Sequence, residues 1–192
     1  MALVFQGTTV PTTGTVTHNS TAAAVVQYAS TEVWRKVTDV NVLATGAYTV
    51  SGKNGTSYVN ASRMQASSSG TTDVYNHAIC IRFNTGSHTK LYLAGTLKRA
   101  QYAMSRVRVG KTDPQLYNNL YGGEGEGPGD EYLEYHTGWN SDRWISDVAF
   151  SRTITVPANA VVYLSLQGTN TTNDWANWGT AEPFLTSVVL KP

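Results

Sequence analysis

The sequence predicts an all-β protein: an antiparallel two-sheet sandwich, jelly-roll-like, preceded by an extended N-terminal arm. Three observations lead there. Apolar residues recur at every second position in several stretches, as in Ile79, Ile81 and Phe83 or Leu91 and Leu93, which is the period of a strand with one face on a core. The intervals are filled by Thr, Ser, Asn and Gly, and only 14% of residues are charged, a composition that favours strands and turns over amphipathic helices. Turn signals divide the chain into about eight to ten strands, the range of a double-sheet antiparallel fold.

Taken in order, residues 7–21 hold few large apolar groups and no charge, so the segment cannot offset its own ordering entropy. It is assigned as an arm, 1–21, ahead of a single sandwich domain, 22–192. The first strand is expected over 22–28. Over 31–43, Val33, Val37 and Val40 fit a helical face and Trp34, Lys36, Thr38, Val40 and Val42 a strand face; the β-branched content decides for strand. Runs 47–50 and 56–59 flank Asn54 and Gly55, whose tolerance of positive φ predicts a hairpin. Residues 64–72 read as a Ser- and Gly-rich loop. Strands follow at 74–83, 89–97 and 101–109, the last with Val107 and Val109 on its core face, and residues 84–87 are expected to join the first two as a hairpin loop. Residues 112–142 carry no Lys or Arg, and the Gly-rich run 122–129 marks a long loop of the kind that is often functional. The stretch 150–166 alternates up to Val156, breaks at residues 157–160 and resumes at Val161, a hairpin signal with Pro157 at the edge of its turn. After irregular residues 168–183, the run 184–190 can close a sheet.

The 41% hydrophobic content is enough for a core, and a net charge of +1 gives no overall bias toward nucleic acid, anionic membrane or acidic substrate. The single cysteine, Cys80, excludes an intramolecular disulfide framework and, between Ile79 and Ile81, is expected to be a buried structural thiol. The start of the chain has no basic flank and only a short apolar run, so neither a signal peptide nor membrane insertion is expected, and synthesis is placed in a cytosol.

Charge is segregated although it nearly cancels. Arg82, Lys90, Lys98, Arg99, Arg106, Arg108 and Lys111 fall in a stretch without acids, and Asp113, Glu124, Glu126, Asp130, Glu131, Glu134 and Asp142 in one without bases. These are solvated surface charges, or the acidic loop lies on the basic strands within the subunit or across to the next, where complementary patches would set register. The interface candidates are Arg82, Arg106, Arg108, Glu124, Glu126, Asp130 and Glu131. Arg106 and Arg108 share a strand face with Tyr102 and Met104, a face not expected to be core. Clustered carboxylate and carbonyl oxygens in the acidic Gly loop leave Ca²⁺ as an alternative, but the Asp-x-Asp-x-Asp-Gly spacing of a Ca²⁺ loop is absent, so no metal and no cofactor is assigned.

Two aromatic clusters stand beside amides and carboxylates: Trp139, Asn140, Asp142 and Trp144, and Asp174, Trp175, Asn177 and Trp178. Indole faces next to Asn and Asp suit sugar rings; the same residues suit a protein interface or packing over the ends of the sandwich. Trp139, Asn140, Trp144, Asp174, Trp175, Asn177 and Trp178 are the glycan-binding candidates. No catalytic residue is assigned. His18, His77, His88 and His136 lack ligand spacing or a nucleophile partner, and Glu131 with Glu134 makes weak glycosidase evidence without a known separation. Tyr92, Tyr102 and Arg82 interleave aromatic and basic groups, but the acidic segment argues against nucleic acid.

The Thr-rich arm through Thr21, the Cys-poor β body, the Gly- and Asn-rich loops and the closing strand over 184–190 resemble small structural β-sandwich proteins of tailed bacteriophage virions: capsid decoration, head-fibre and tail-associated proteins. The resemblance implies a nonenzymatic virion component, typically a homo-oligomer and often a trimer, whose partners are copies of itself and a capsid or tail protein. It transfers no functional residue. The alternative is a carbohydrate-binding module that recognises a cell-surface glycan through its Trp, Asn and Asp loops.

Overall fold

The structure, a computed structural model, describes residues 37–45, 57–66, 77–99, 104–112, 132–137, 145–168 and 182–192 in full, together with the backbones of the strands named below. The chain divides into two compact units, Met1–Asp39 with Pro192, and Val40–Lys191. In the first, short strands pair with their sequence neighbours, all antiparallel: β1 (Leu3–Phe5) with β2 (Thr8–Val10), β3 (Val16–His18) with β4 (Thr21–Ala23), and β5 (Val25–Tyr28) with β6 (Thr31–Arg35). The stretch read as an arm therefore satisfies part of its backbone hydrogen bonding locally, which needs no large apolar side chains. The division after Asp39 lies further along the chain than the boundary between 21 and 22 drawn from composition.

The second unit contains β7 (Val40–Asn41), β8 (Thr49–Lys53), β9 (Tyr58–Asn60), β10 (Arg63–Gln65), β11 (Tyr75–Asn84), β12 (Lys90–Arg99), β13 (Ala103–Gly110), β14 (Gly125–Glu126), β15 (Leu133–His136), β16 (Ser146–Thr155), β17 (Val161–Asn170) and β18 (Phe184–Lys191). Sheet I has the order β16-β12-β18-β10-β9, with β7 also on β18, and sheet II the order β14-β15-β13-β17-β11-β8. Among the described residues every pairing is antiparallel and there is no helix. If β10 to β13 and β15 to β18 are taken in chain order as first to eighth, sheet I reads first-eighth-third-sixth and sheet II second-seventh-fourth-fifth. That interleaving is a jelly roll, one long hairpin rolled so that its two arms alternate between sheets.

Three expected hairpins are corrected by this topology. The strands on either side of residues 156–160 belong to different sheets, β16 pairing with β12 and β17 with β13 and β11. The link crosses between layers because Phe150 and Val156 on one side, and Val162 and Leu164 on the other, bury the same core from opposite sheets. Residues 84–87 make the same kind of crossing from β11 to β12. Likewise β8 joins β11 in sheet II while β9 joins β10 in sheet I, so residues 54 and 55, which lie outside the described residues, do not connect paired strands. The tight return is at β9–β10 instead, where the backbone N–H of Ser62 donates to Asn60 Oδ1 at 3.0 Å and Asn60 pairs with Arg63.

The core expectations hold: Ile79, Ile81, Phe83, Leu91, Leu93, Val107 and Val109 all join the buried cluster between the sheets, with Leu164, Leu166, Leu185, Val188 and Leu190. Tyr135 of sheet II meets Phe150 of sheet I with ring centroids 5.3 Å apart. At one end the crossings are laced together by Thr85, whose hydroxyl donates to Pro157 O at 2.7 Å and accepts from the Ala160 N–H at 3.0 Å. At the other end Ser105 and Thr137 join the layers: Thr137 Oγ1 donates to Lys98 O at 3.1 Å and accepts from the Ser105 N–H at 3.1 Å. His88 is a satisfied turn residue, its Nδ1 donating to Thr85 O at 2.9 Å, and His77 is fully buried on β11. Cys80 is a buried thiol outside any disulfide, on the face of β11 turned away from the core cluster, and its Sγ lies 3.9 Å from Ile81 O.

Candidate functional site

The ladder registers fix which side chains share the outer face of sheet II. One row runs His136, Arg106, Gln167 and Ala78, and the next Glu134, Arg108, Ser165 and Cys80, with the backbone of β8 paired beyond β11. Arg106 lies on this outer row yet is only 4% exposed, and Met104, Ser165 and Gln167 on the same face are also buried. The face of Arg106 and Met104 lies outside the core cluster between the sheets, as the alternation implies, yet it is buried: an alternating strand separates two faces but does not decide whether the outer one is wet. Arg106 Nε and Nη2 both donate to Glu134 Oε1, at 2.9 and 2.7 Å. A base of the basic stretch and an acid of the acidic stretch are thus brought together within the chain, on adjacent strands, as one of the two arrangements open to segregated charge. Of the other interface candidates, Arg82 is exposed and Arg108 half-buried, Glu126 falls on the backbone of β14 beside β15, and Glu124, Asp130 and Glu131 lie outside the described residues.

Sheet I presents different chemistry on its outer face. A row across it reads Tyr58, Gln65, Phe184, Thr96 and Ala149. Tyr58, on β9 at the rim, is 42% exposed. Its hydroxyl donates to Gln65 Oε1 at 2.9 Å, and Gln65 Nε2 donates to Glu182 Oε2 at 3.4 Å. Two positions before Gln65 on β10, Arg63 lays its guanidinium over the Phe184 ring, 3.7 Å from the centroid. Next along the face, Lys98 pairs with the mostly exposed Asp147. Along the rim strand β16 the outward residues Ala149, Ser151, Thr153 and Thr155 are small and exposed, while Arg152, on the inward side, sits 5.3 Å from the Tyr135 centroid over the open edge of the sandwich. An inward charge of this kind blunts a long edge strand against unwanted pairing.

Sequence reasoning did not single out Tyr58, Arg63, Gln65 or Glu182, because their proximity depends on the return at Asn60 and on β18 entering between β10 and β12. Trp139, Asn140, Trp144, Asp174, Trp175, Asn177 and Trp178 lie outside the described residues. The strand ends that flank their two segments are at one end of the sandwich, where Arg99 pairs with Ser146, Ala103 with Asn170, and the Thr137 N–H donates to Ser105 O. Among the described residues no group of His, Cys, Asp and Glu is arranged to hold a metal ion.

No protein family and no curated protein matches the sequence. Among solved structures, the chain is similar to the K2 cleaved adhesin domain of Lys-gingipain, at 11% identity and a TM-score of 0.37, over 80% of this chain and 98% of that one. It is similar to carbohydrate-binding modules of the β-sandwich superfamily described for promiscuous specificity, at 11% identity and a TM-score of 0.36, over 77% of this chain and 58% of that one. A third similarity, at 6% identity and a TM-score of 0.30, is to the enzymatically active domain of tailspike protein 4 of bacteriophage CBA120, over 78% of this chain and 20% of that one.

Proposed function

We propose that this protein is a nonenzymatic structural component of a virion, a decoration, tail or fibre-associated jelly roll that assembles with copies of itself and with a capsid or tail neighbour. The observation that carries the reading is the strand order, an architecture used by viral capsid and lectin domains alike. Ala149, Ser151, Thr153 and Thr155, the outward residues of β16 beyond Asp147, support it, since small uncharged side chains let a neighbouring chain pack closely on this face. The N-terminal residues 1–21 add further contact area in this reading. Mass in solution, followed by density-gradient purification of viral particles, tests it. The expected result is a multimer that co-purifies with particles and dissociates when residues 1–21 are deleted, with the β-sheet circular dichroism retained. A monomer at every concentration, absent from particles, overturns it.

A second reading, recognition of a glycan as a carbohydrate-binding module, is favoured by the exposed ring of Tyr58 beside fixed polar groups. Glycan-array binding that falls on Trp175→Ala or Trp178→Ala would place recognition in the Trp-bearing segments.

A further inference from the structure

The corner of sheet I where β9, β10 and β18 meet holds hydrogen-bonding capacity that the described residues do not use. Arg63 is fixed in place by the Phe184 ring beneath its guanidinium. Its Nε is withdrawn from water and has no hydrogen-bond partner, and the guanidinium forms no ion pair among the described residues. The two Nη groups of the same guanidinium are not withdrawn from water in this way, and they are the donors that a ligand approaching from solvent meets. Glu182 accepts one long bond, 3.4 Å from Gln65 Nε2, which leaves most of its carboxylate capacity available. Tyr58 offers 42% of its surface to solvent while its hydroxyl is held by Gln65 Oε1 at 2.9 Å, so the ring is both exposed and oriented.

Each feature narrows the ligand. An oriented, exposed aromatic face takes an apolar patch of C–H groups. A guanidinium over Phe184 and a carboxylate bonded to Gln65, the strand partner of Phe184, flank one row of the sheet and suit hydroxyls, which donate and accept at once. The charges of Arg63 and Glu182 cancel, so an anion drawn to the first meets the second, and a cation the reverse. A sugar ring without a charged substituent satisfies all three conditions.

We propose that Tyr58, Arg63, Gln65 and Glu182, backed by Phe184, form a subsite for one ring of a neutral saccharide. Its ligand class rests on the glycan reading above, but the site is independent of the Trp-bearing segments. Tyr58 stacks on the sugar face, Arg63 donates to ring hydroxyls, Glu182 accepts from them, and Gln65 holds Tyr58 and Glu182 in register.

The test is calorimetric titration of the full chain with soluble neutral oligosaccharides of glucose, galactose, mannose and N-acetylglucosamine, and with a uronic-acid oligosaccharide as the charged comparison. Tyr58→Ala is expected to weaken binding of the best neutral probe by about tenfold or more, the loss that marks an aromatic anchor. Glu182→Gln, nearly isosteric, is expected to weaken it by about fivefold with an unchanged thermal midpoint, because the amide offers one acceptor oxygen in place of two. Tyr58→Phe, which keeps the ring, should bind within about threefold of the parent if stacking dominates. Neutral-saccharide binding that survives Tyr58→Ala and Glu182→Gln but is abolished by Trp175→Ala overturns the subsite and leaves the glycan reading standing. Tighter binding of the uronic-acid probe overturns the ligand class, and no heat with any probe overturns subsite and glycan reading together.

Discussion

The outer faces of the two sheets are built by the same strand alternation but differ in how much of their centres water reaches. On sheet I, Lys90, Asp147, Ala149, Ser151, Thr153, Thr155 and Thr186 are exposed. On sheet II, Ala78, Cys80, Met104, Arg106, Ser165 and Gln167 are nearly as inaccessible as the core. The chemistry follows the environment. The open face carries small hydroxyls and an ion pair that water can screen; the covered face carries an arginine whose Nε and Nη2 both go to one carboxylate oxygen. A charge taken out of water must be matched by a partner, whereas one left in water need not be.

Breaking the covered pair should have the largest effect. Arg106→Ala leaves Glu134, whose side chain is only 17% exposed, without its guanidinium, and the expected loss is about 3–5 kcal/mol, the cost of removing one partner from a buried pair. Urea unfolding would register it as a fall in midpoint at unchanged slope. Arg106→Met with Glu134→Leu should lose less than Arg106→Ala alone, because no charge is then stranded. A loss below about 1 kcal/mol for Arg106→Ala would mean that this pair behaves as a surface one and that the contrast between the faces does not hold.

Sheet I has its own point of sensitivity, in its centre rather than on its face. The β12–β18 register shifts between Ala94 and Gly95, and a Cβ at Gly95 would stand 2.1 Å from Phe184 O and 2.6 Å from Leu185 Cα. Both are backbone atoms, which cannot turn aside as a side-chain tip can. Gly95→Ala is therefore expected to cost at least the upper part of the ~1–3 kcal/mol range for overpacking. A thermal-unfolding midpoint within a degree of the parent would show that the shifted register relaxes freely. Since Phe184 backs Arg63, the same substitution also asks how firmly the corner of sheet I is held.

Much of the fold was legible because strand period is local. Ile79, Ile81, Phe83, Leu91, Leu93, Val107 and Val109 were placed on core faces from their spacing alone, and all are in the cluster. Partnership was not legible, because a turn sequence specifies a reversal and not the layer in which the next strand lands. Residues 84–87 and 156–160 carry ordinary turn chemistry and serve crossings between sheets, whereas the hairpin at Asn60 was missed for want of strong alternation in strands of three residues. Site geometry was less legible still. Charge segregation pointed to basic and acidic segments meeting, and Arg106 meets Glu134, but Tyr58, Gln65 and Glu182 are separated by 7 and 117 positions along their hydrogen bonds. Only the insertion of β18 beside β10 puts them side by side.

The smallest effect expected sharpens the comparison most directly. Lys98 and Asp147 pair directly across β12 and β16 on sheet I, and Arg106 and Glu134 diagonally across β13 and β15 on sheet II. Lys98 is 19% exposed, but Asp147 has 67% of its side chain in water, so one partner of the first pair is solvated and neither of the second is. A double-mutant cycle of Lys98→Ala with Asp147→Ala should give a coupling of about 0.2–1 kcal/mol, the range for exposed pairs. The value should shrink further in 1 M salt, where the screening length falls to about 3 Å. The equivalent cycle at Arg106 and Glu134 should give a larger coupling that salt barely changes, since ions do not reach a pair withdrawn from solvent. Equal couplings with equal salt dependence would mean that the two outer faces differ in accessible area but not in the dielectric that their charges experience, and environment could then no longer account for the different chemistry of the two sheets.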